Sequence, residues 1–256
     1  STQRSISMSN ERNHLIGGIT GGIGSSLAKA LIADGHTVAG FARDKDKLNL
    51  FTQENNCHTV SCDASRPEEV IETIEVLHKK LGSIDTYTHA IGSIFLKPAH
   101  LTTDADWMRT LEANLHSAFY ALRSISKIMS KQGGGSCLFF STAAAQTGIA
   151  NHEAIAAAKG GVEAMVRSAA ASYSSRGIRI NAIAPSLTDT PLSQSIVGNT
   201  QALEISKRMH PLGSIGQAGD IASLAKWIHS ENAQFVTGQT FVADGGISSI
   251  VPKIRA

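Results

Sequence analysis

The stretch that decides the fold is His14-Leu15-Ile16-Gly17-Gly18-Ile19-Thr20-Gly21-Gly22-Ile23-Gly24. An apolar run breaks into glycines and then into a helical pattern. Gly18, Gly22 and Gly24 stand at the spacing GxxxGxG. Glycines let such a turn tighten, and they let backbone N–H groups approach a phosphate at the start of the following helix. Gly-rich turns also serve packing, so the loop takes its meaning from the strand before it and the helix after it.

Outward from that loop, short apolar runs alternate with longer helical stretches, the pattern of βαβ units on a parallel sheet. Strands are expected over 14–19, 36–42, 58–62, 84–90, 136–141, 178–184 and 239–243. Helices are expected over 24–35, 67–81, 104–131, 152–175 and 220–230. Ser65 ahead of Pro67, with Glu68 and Glu69 behind it, marks a helix start. Residues 186–211 read as a polar, irregular lid. No linker, repeat or low-complexity tract divides the chain, so one domain over 14–256 is expected after a flexible leader over 1–13, with Met8 a candidate native start.

Composition narrows the function classes. The chain has 256 residues, enough for one large α/β domain with a full core. A net charge of +2 without charge blocks gives no nucleic-acid patch. Apolar stretches break well before the ~20 residues of a membrane span, and the polar N-terminus has no signal core. Cys57, Cys62 and Cys137 lack metal-ligand spacing, and an odd, scattered set fits a reducing compartment. The expectation is a cytoplasmic protein with no metal, nucleic-acid or membrane partner.

Further motifs follow in order. Cys62-Asp63 ends the third strand, and His89-Ala90-Ile91-Gly92 the fourth. Asn114 lies on the next helix, Ser141-Thr142 ends the fifth strand, and Lys159 sits on the helix after it. Asn181-Ala182-Ile183-Ala184-Pro185 continues into Ser186-Leu187-Thr188-Asp189-Thr190-Pro191, and Asp244-Gly245-Gly246 stands near the end. This ordered set resembles the short-chain dehydrogenase/reductase family over about residues 14–246.

The resemblance implies a single-domain Rossmann fold of class α/β, a doubly wound parallel sheet flanked by helices. It also implies a nicotinamide dinucleotide, a small-molecule substrate and a homotetramer. The cofactor positions it carries over are Gly18, Gly22, Ile23, Gly24, Asp63 for the adenine, Ala90, Lys159 for the nicotinamide ribose, Pro185, Thr188, and Thr190 for the carboxamide. Members that prefer NAD have an acid at the end of strand two; here that position is Ala42, and Arg43 follows. An Arg fork suits a 2′-phosphate, so NADP is favoured, with NAD the alternative and Asp44 and Asp46 opposing charges nearby.

The family's catalytic positions map onto Lys159, Thr142 for the usual Ser, Asn114, and Ile155 for the usual Tyr. Ile has no proton to give, and a positioned general acid is typically worth ~10²–10⁴-fold in rate. Three readings follow. In the first, another residue supplies the proton. The enoyl-reductase branch shifts its Tyr to seven residues before the Lys, and that position here is His152, in helical alignment with Ile155 and Lys159; Glu153 is a second, weaker choice. In the second, hydride adds to a C=C bond and the enolate is protonated from solvent. In the third, the chain binds NADP without turnover, as a sensor or scaffold.

Other departures cluster at the same place. Gly17 stands where the family has a Thr, His89-Ala90-Ile91 replaces Asn-Asn-Ala, and Ser186 replaces a Gly. Leu192, Ile196, Leu203 and Met209 in the lid suit a mostly apolar substrate. Small residues on the helix over 152–175 suit close packing across an assembly interface.

Overall fold

The computed structural model describes residues 11–253. The apolar runs form strands and the periodic stretches form helices in the expected alternation. The chain runs β1 (Asn13–Gly17), α1 (Gly22–Ala33), β2 (Thr37–Ala42), α2 (Lys45–Glu54), β3 (His58–Ser61), α3 (Pro67–Leu81) and β4 (Thr86–His89). It continues through α4 (Asp104–Leu111), a π-helical turn (Glu112–His116), α5 (Ser117–Gln132), β5 (Gly135–Phe140), α6 (Glu153–Tyr173) and β6 (Ile178–Pro185). Then come β7 (Thr188–Asp189), α7 (Gln194–Val197), α8 (Thr200–Met209), β8 (Gly216–Gln217), α9 (Ala218–His229) and β9 (Thr240–Ala243).

Seven strands form one parallel sheet in the order β3-β2-β1-β4-β5-β6-β9. The order reverses between β1 and β4, and in open α/β sheets ligands bind at that switch, beyond the carboxyl ends of the strands. Alternate residues of each strand feed two cores. Leu15, Phe41, Tyr87, Phe139 and Ile180 pack with α3, α5 and α6 on one face. Ile16, Val38, Leu138 and Ile183 pack with α1, α2 and α9 on the other. Burial on both faces is why these strands read as continuous apolar runs.

Several expectations need correction. Arg12 and Asn13 are not part of a leader: Asn13 opens β1, and the Asn13 amide donates to Asp85 at 2.7 Å. The rest of the expected leader, with Met8, lies outside the described residues. Helix α2 went unread because its sequence is mostly polar; Asp44 caps it by accepting from the Lys47 amide. The cap of α3 is Arg66, while Ser65 turns back to Asp63. The expected helix over 104–131 carries a π turn at Glu112–His116, and the irregular lid holds α7 and α8.

Candidate active site

The glycines of the first loop are required sterically. Gly18 has φ of +81°, and a Cβ there would lie 2.3 Å from the Ala90 carbonyl oxygen. A Cβ on Gly24 would lie 2.2 Å from the Gly18 carbonyl oxygen. Gly22 faces the lid, with a Cβ there 2.6 Å from the Thr190 side chain. The loop therefore sits between the end of β4 and the start of the lid. The first turn of α1 has no acidic residue, and Gly21 offers no side-chain cap. Its free N–H groups and positive dipole end, which include Ile23, fit the pyrophosphate of a dinucleotide.

At the end of β2, Arg43 is exposed. Asp44, which sequence alone set against a phosphate, is turned to its own helix and pairs with Lys47 at 3.6 Å. Asp63 accepts from the Ser65 amide and hydroxyl. Burial pushes the Asp63 carboxyl up, but the Ser65 bonds and the nearby Arg43 and Arg66 charges leave it below the usual range. Asp63 and Arg43 thus share one end of the cleft.

Lys159 and Asn114 meet at the middle of the sheet. Lys159 is buried in α6, and its Nζ donates to the Phe140 carbonyl at 2.9 Å. Burial pulls its pKa down to about 8. The π turn places Asn114, whose Nδ2 donates to the Thr110 carbonyl and the Ser93 hydroxyl, both at 2.9 Å. Asn114 Oδ1 accepts from the Ser93 amide at 3.0 Å. Gly92 fills the space between them: a Cβ there would lie 2.7 Å from Asn114 Oδ1 and 3.3 Å from Lys159 Nζ. Single π turns recur at functional sites because the extra residue re-aims one side chain. Ser93 escaped sequence reading, since a serine after a glycine carries no signal.

Thr142 leaves β5 half-buried, its hydroxyl accepting from the Ala144 amide at 3.3 Å. Its neighbour Ser141 donates to buried Glu163 at 2.6 Å, and Gln146 also reaches Glu163. These bonds fix the end of β5 against α6, so Thr142 and Lys159 hold a constant relation.

Ile155 is 6% exposed and packs inward on the same helix. His152 does not share its helical face as expected. It is the N-cap residue, with non-helical φ and ψ of −108° and 11°, and its Nδ1 donates to the Ala150 carbonyl at 2.8 Å. Glu153 is exposed and accepts from the Ala99 amide at 3.4 Å. His89 lies in the core, in a structural role. Tyr87 donates to its Nδ1 at 2.7 Å, and Ser117 engages its Nε2 at 3.1 Å. Burial, reinforced by the Lys159 charge, lowers its pKa to about 3. Gly17 leaves room for the Tyr87 hydroxyl, which lies 3.0 Å from where a Cβ would stand.

Pro185 ends β6, and Thr188 donates to the Ser186 carbonyl at 3.1 Å. The Thr190 amide donates to the Ser193 hydroxyl at 3.1 Å, beside the first loop. The Ser186 hydroxyl pairs with His210 Nε2 at 2.7 Å, a contact the sequence does not announce.

A family described as Enoyl-(Acyl carrier protein) reductase matches residues 18–248. The chain is similar to 2-(S)-hydroxypropyl-CoM dehydrogenase 3 of Xanthobacter autotrophicus, 29% identical over 95% of this chain and 100% of that protein. It is similar to cyclohexanol dehydrogenase of an Acinetobacter species, 28% identical over 94% of this chain and 98% of that one. A short-chain type dehydrogenase/reductase from Mycobacterium ulcerans superposes with a TM-score of 0.88 at 27% identity, covering 93% and 90% of the two chains. Fold, loop and ordered motifs agree with these likenesses, and the chain belongs to the short-chain dehydrogenase/reductase family of oxidoreductases.

Proposed function

We propose that this chain is an NADP(H)-dependent oxidoreductase that reduces a C=O or C=C bond of a small, mostly apolar substrate, with Ile155 at the position of the usual Tyr. The observation that carries this reading is the buried Lys159 Nζ beside Gly92 and Asn114. A charged lysine in a core is costly unless it has partners. Among the described residues its hydrogen-bond partner is the Phe140 carbonyl, and a ribose hydroxyl at the cleft gives it a second. The nicotinamide supplies the hydride when bound. Gly18, Gly22, Ile23 and Gly24 receive its pyrophosphate, Asp63 and Ala90 its adenosine end, Arg43 its 2′-phosphate, and Pro185, Thr188 and Thr190 its nicotinamide end. Thr142 orients the substrate oxygen, and Asn114 holds the π turn and Ser93 in place.

The names of the family and of two relatives pull the bond type in different directions. The matched family's description points to C=C reduction, and the two dehydrogenases act, by their names, on alcohols. The lid supports an apolar substrate through exposed Leu192 and Met209 and part-exposed Ile196 and Leu203. A second reading, an NADP-binding sensor without turnover, is favoured by Ile155 alone. NADPH oxidation against ketones, enones and enoyl thioesters decides between them: steady consumption supports the enzyme, and tight binding with no consumption supports the sensor.

A homotetramer and a cytoplasmic setting belong to the same proposal. No helix among the described residues is long and apolar enough to cross a membrane, and the three cysteines are free and buried. Of the small residues expected at an interface, Ala154, Ala158, Ala169 and Ala170 face the chain's own core. Ala157, Ala164 and Ala171 face outward at seven-residue steps on α6. A sedimentation profile of a single tetrameric species at micromolar concentration is the expected result; a monomer overturns the assembly.

A further inference from the structure

We propose that the Ser186 hydroxyl, backed by His210, delivers the proton that the residue at 155 cannot. This rests on the reductase reading above. Ser186 is the first residue past β6, at the place where the family resemblance has a glycine. Its Oγ lies 2.7 Å from His210 Nε2, and His210 Nδ1 lies 2.6 Å from the Ser206 carbonyl oxygen. A carbonyl only accepts, so Nδ1 carries a hydrogen. The neutral ring then presents a bare Nε2, to which the Ser186 O–H donates. When the ring gains a proton, Nε2–H donates to Ser186 Oγ instead, and the hydroxyl hydrogen is released toward the cleft. Both charge states use the same two partners, so a proton enters and leaves without dismantling the pair. A hydroxyl, a base and a third group that orients the base form the arrangement that activates side-chain hydroxyls in general.

The placement suits the task. β5 and β6 are paired up to Phe140 and Ile183, and the Ser141 amide donates to the Ile183 carbonyl at 2.8 Å. Neighbouring strands lie about 4.8 Å apart. Thr142 and Ser186 therefore leave adjacent parallel strands at the carboxyl end of the sheet, two and three residues past that pair. Ser186 is half-buried, whereas His210 is 5% exposed behind it. Gly245 packs on the ring, its position 3.3 Å from His210 Cδ2 if it carried a Cβ. Asp244 lies just past β9; burial raises its carboxyl, but bonds from Ser248 and Gly246, with the His210 charge, hold it low. Lys207 and Arg208 stand on α8, Lys207 paired with Glu204, and Asp189 accepts from Gln194.

The step balances. Once hydride has formed the new C–H bond, the former π pair resides on the substrate oxygen. The Ser186 O–H bond breaks and that oxygen takes the proton. The His210 Nε2–H passes to Ser186 Oγ, leaving a neutral ring that solvent reprotonates. One hydride and one proton have been transferred.

The test uses the full chain, NADPH and cyclohexanone as probe, with Ser186→Ala, Ser186→Thr, His210→Gln and His152→Phe. Ser186→Ala is expected to lower kcat about 100-fold, the scale of a lost general acid, while the NADPH Kd stays within about two-fold of wild type and Ser186→Thr recovers most of the rate. In wild type kcat depends on pH and falls toward alkaline pH; His210→Gln is low and flat. In the free protein, ring ¹⁵N shifts are expected to place the His210 hydrogen on Nδ1 and to change at Nε2 in Ser186→Ala. A Ser186→Ala variant with wild-type kcat and pH profile, changed only in melting temperature, makes the pair a mere latch between α8 and β6 and overturns the proposal. So does a loss of kcat in His152→Phe that Ser186→Ala does not share. If wild type binds NADPH but reduces no ketone, enone or enoyl thioester, the reductase reading falls and this proposal with it.

Discussion

Lys159 Nζ donates to the carbonyl oxygen of Phe140 at 2.9 Å, joining the middle of α6 to the last residue of β5. The pair sets the depth of the charge below the cleft and the place where β5 turns into Thr142. Because burial brings the Lys159 pKa to about 8, the ammonium is present at neutral pH and is lost as pH rises through that value. NADPH binding is therefore expected to weaken between pH 7 and pH 9 in wild type.

Lys159→Met tests the same relation. Charged hydrogen bonds contribute about 1.5–3 kcal/mol, so the variant should bind NADPH roughly ten-fold or more weakly, with no pH dependence near 8. Burying a charge costs free energy unless it is paired and hydrogen-bonded, and Met carries no charge, so the melting temperature should hold or rise. Fluorescence titration and a thermal melt check both outcomes; a variant that unfolds would show that the Phe140 bond holds the fold instead.

Gly92→Ala should injure the site more than the fold. The added methyl would meet Asn114 Oδ1 at 2.7 Å and crowd Lys159 Nζ. Asn114 must then release the Ser93 amide. Overpacking of this kind costs about 1–3 kcal/mol. Turnover should drop at least ten-fold with the fold retained, read by NADPH oxidation and circular dichroism. Unchanged turnover would mean that Asn114 has no part in the site.

Arg43→Ala should raise the Kd for NADP and leave that for NAD nearly unchanged. The guanidinium is exposed, and its partner would be the 2′-phosphate that NAD lacks. Parallel titrations of the two cofactors decide the matter, and equal affinities that ignore the substitution would remove Arg43 from the binding site.

Stability should fall as pH drops from 6.5 toward 5, before carboxylates titrate. Burial, with the charges of His36 and Arg12, lowers His14 to about 3; burial and Lys159 lower His89 to about 3. His229 is likewise lowered well below its usual value by burial, then by His14, Arg179 and Arg12. These folded-state values are depressed, so the unfolded chain binds more protons below 6.5 and acid favours it. Each such histidine contributes a loss of up to about 1.4 kcal/mol per pH unit below its unfolded pKa. Urea midpoints at pH 7.5 and 5.5 measure this, and equal midpoints would contradict neutral, buried histidines.

Sequence alone determined the layered α/β fold, because strand and helix periodicities and glycine sterics are local. GxxxGxG can be read since Gly18 and Gly24 allow no Cβ, and Lys159, Thr142 and Asn114 match positions that the family resemblance implies. Position along a helix was less secure: His152 looked aligned with Ile155, but the helix begins after it. The tertiary structure decided what spacing cannot encode. It put a π turn under Asn114, sent His89 into the core and gave the polar lid two helices. It also brought His210 to Ser186, 24 residues away. Such contacts arise from how separate elements pack, and packing leaves no period in the chain from which to read them.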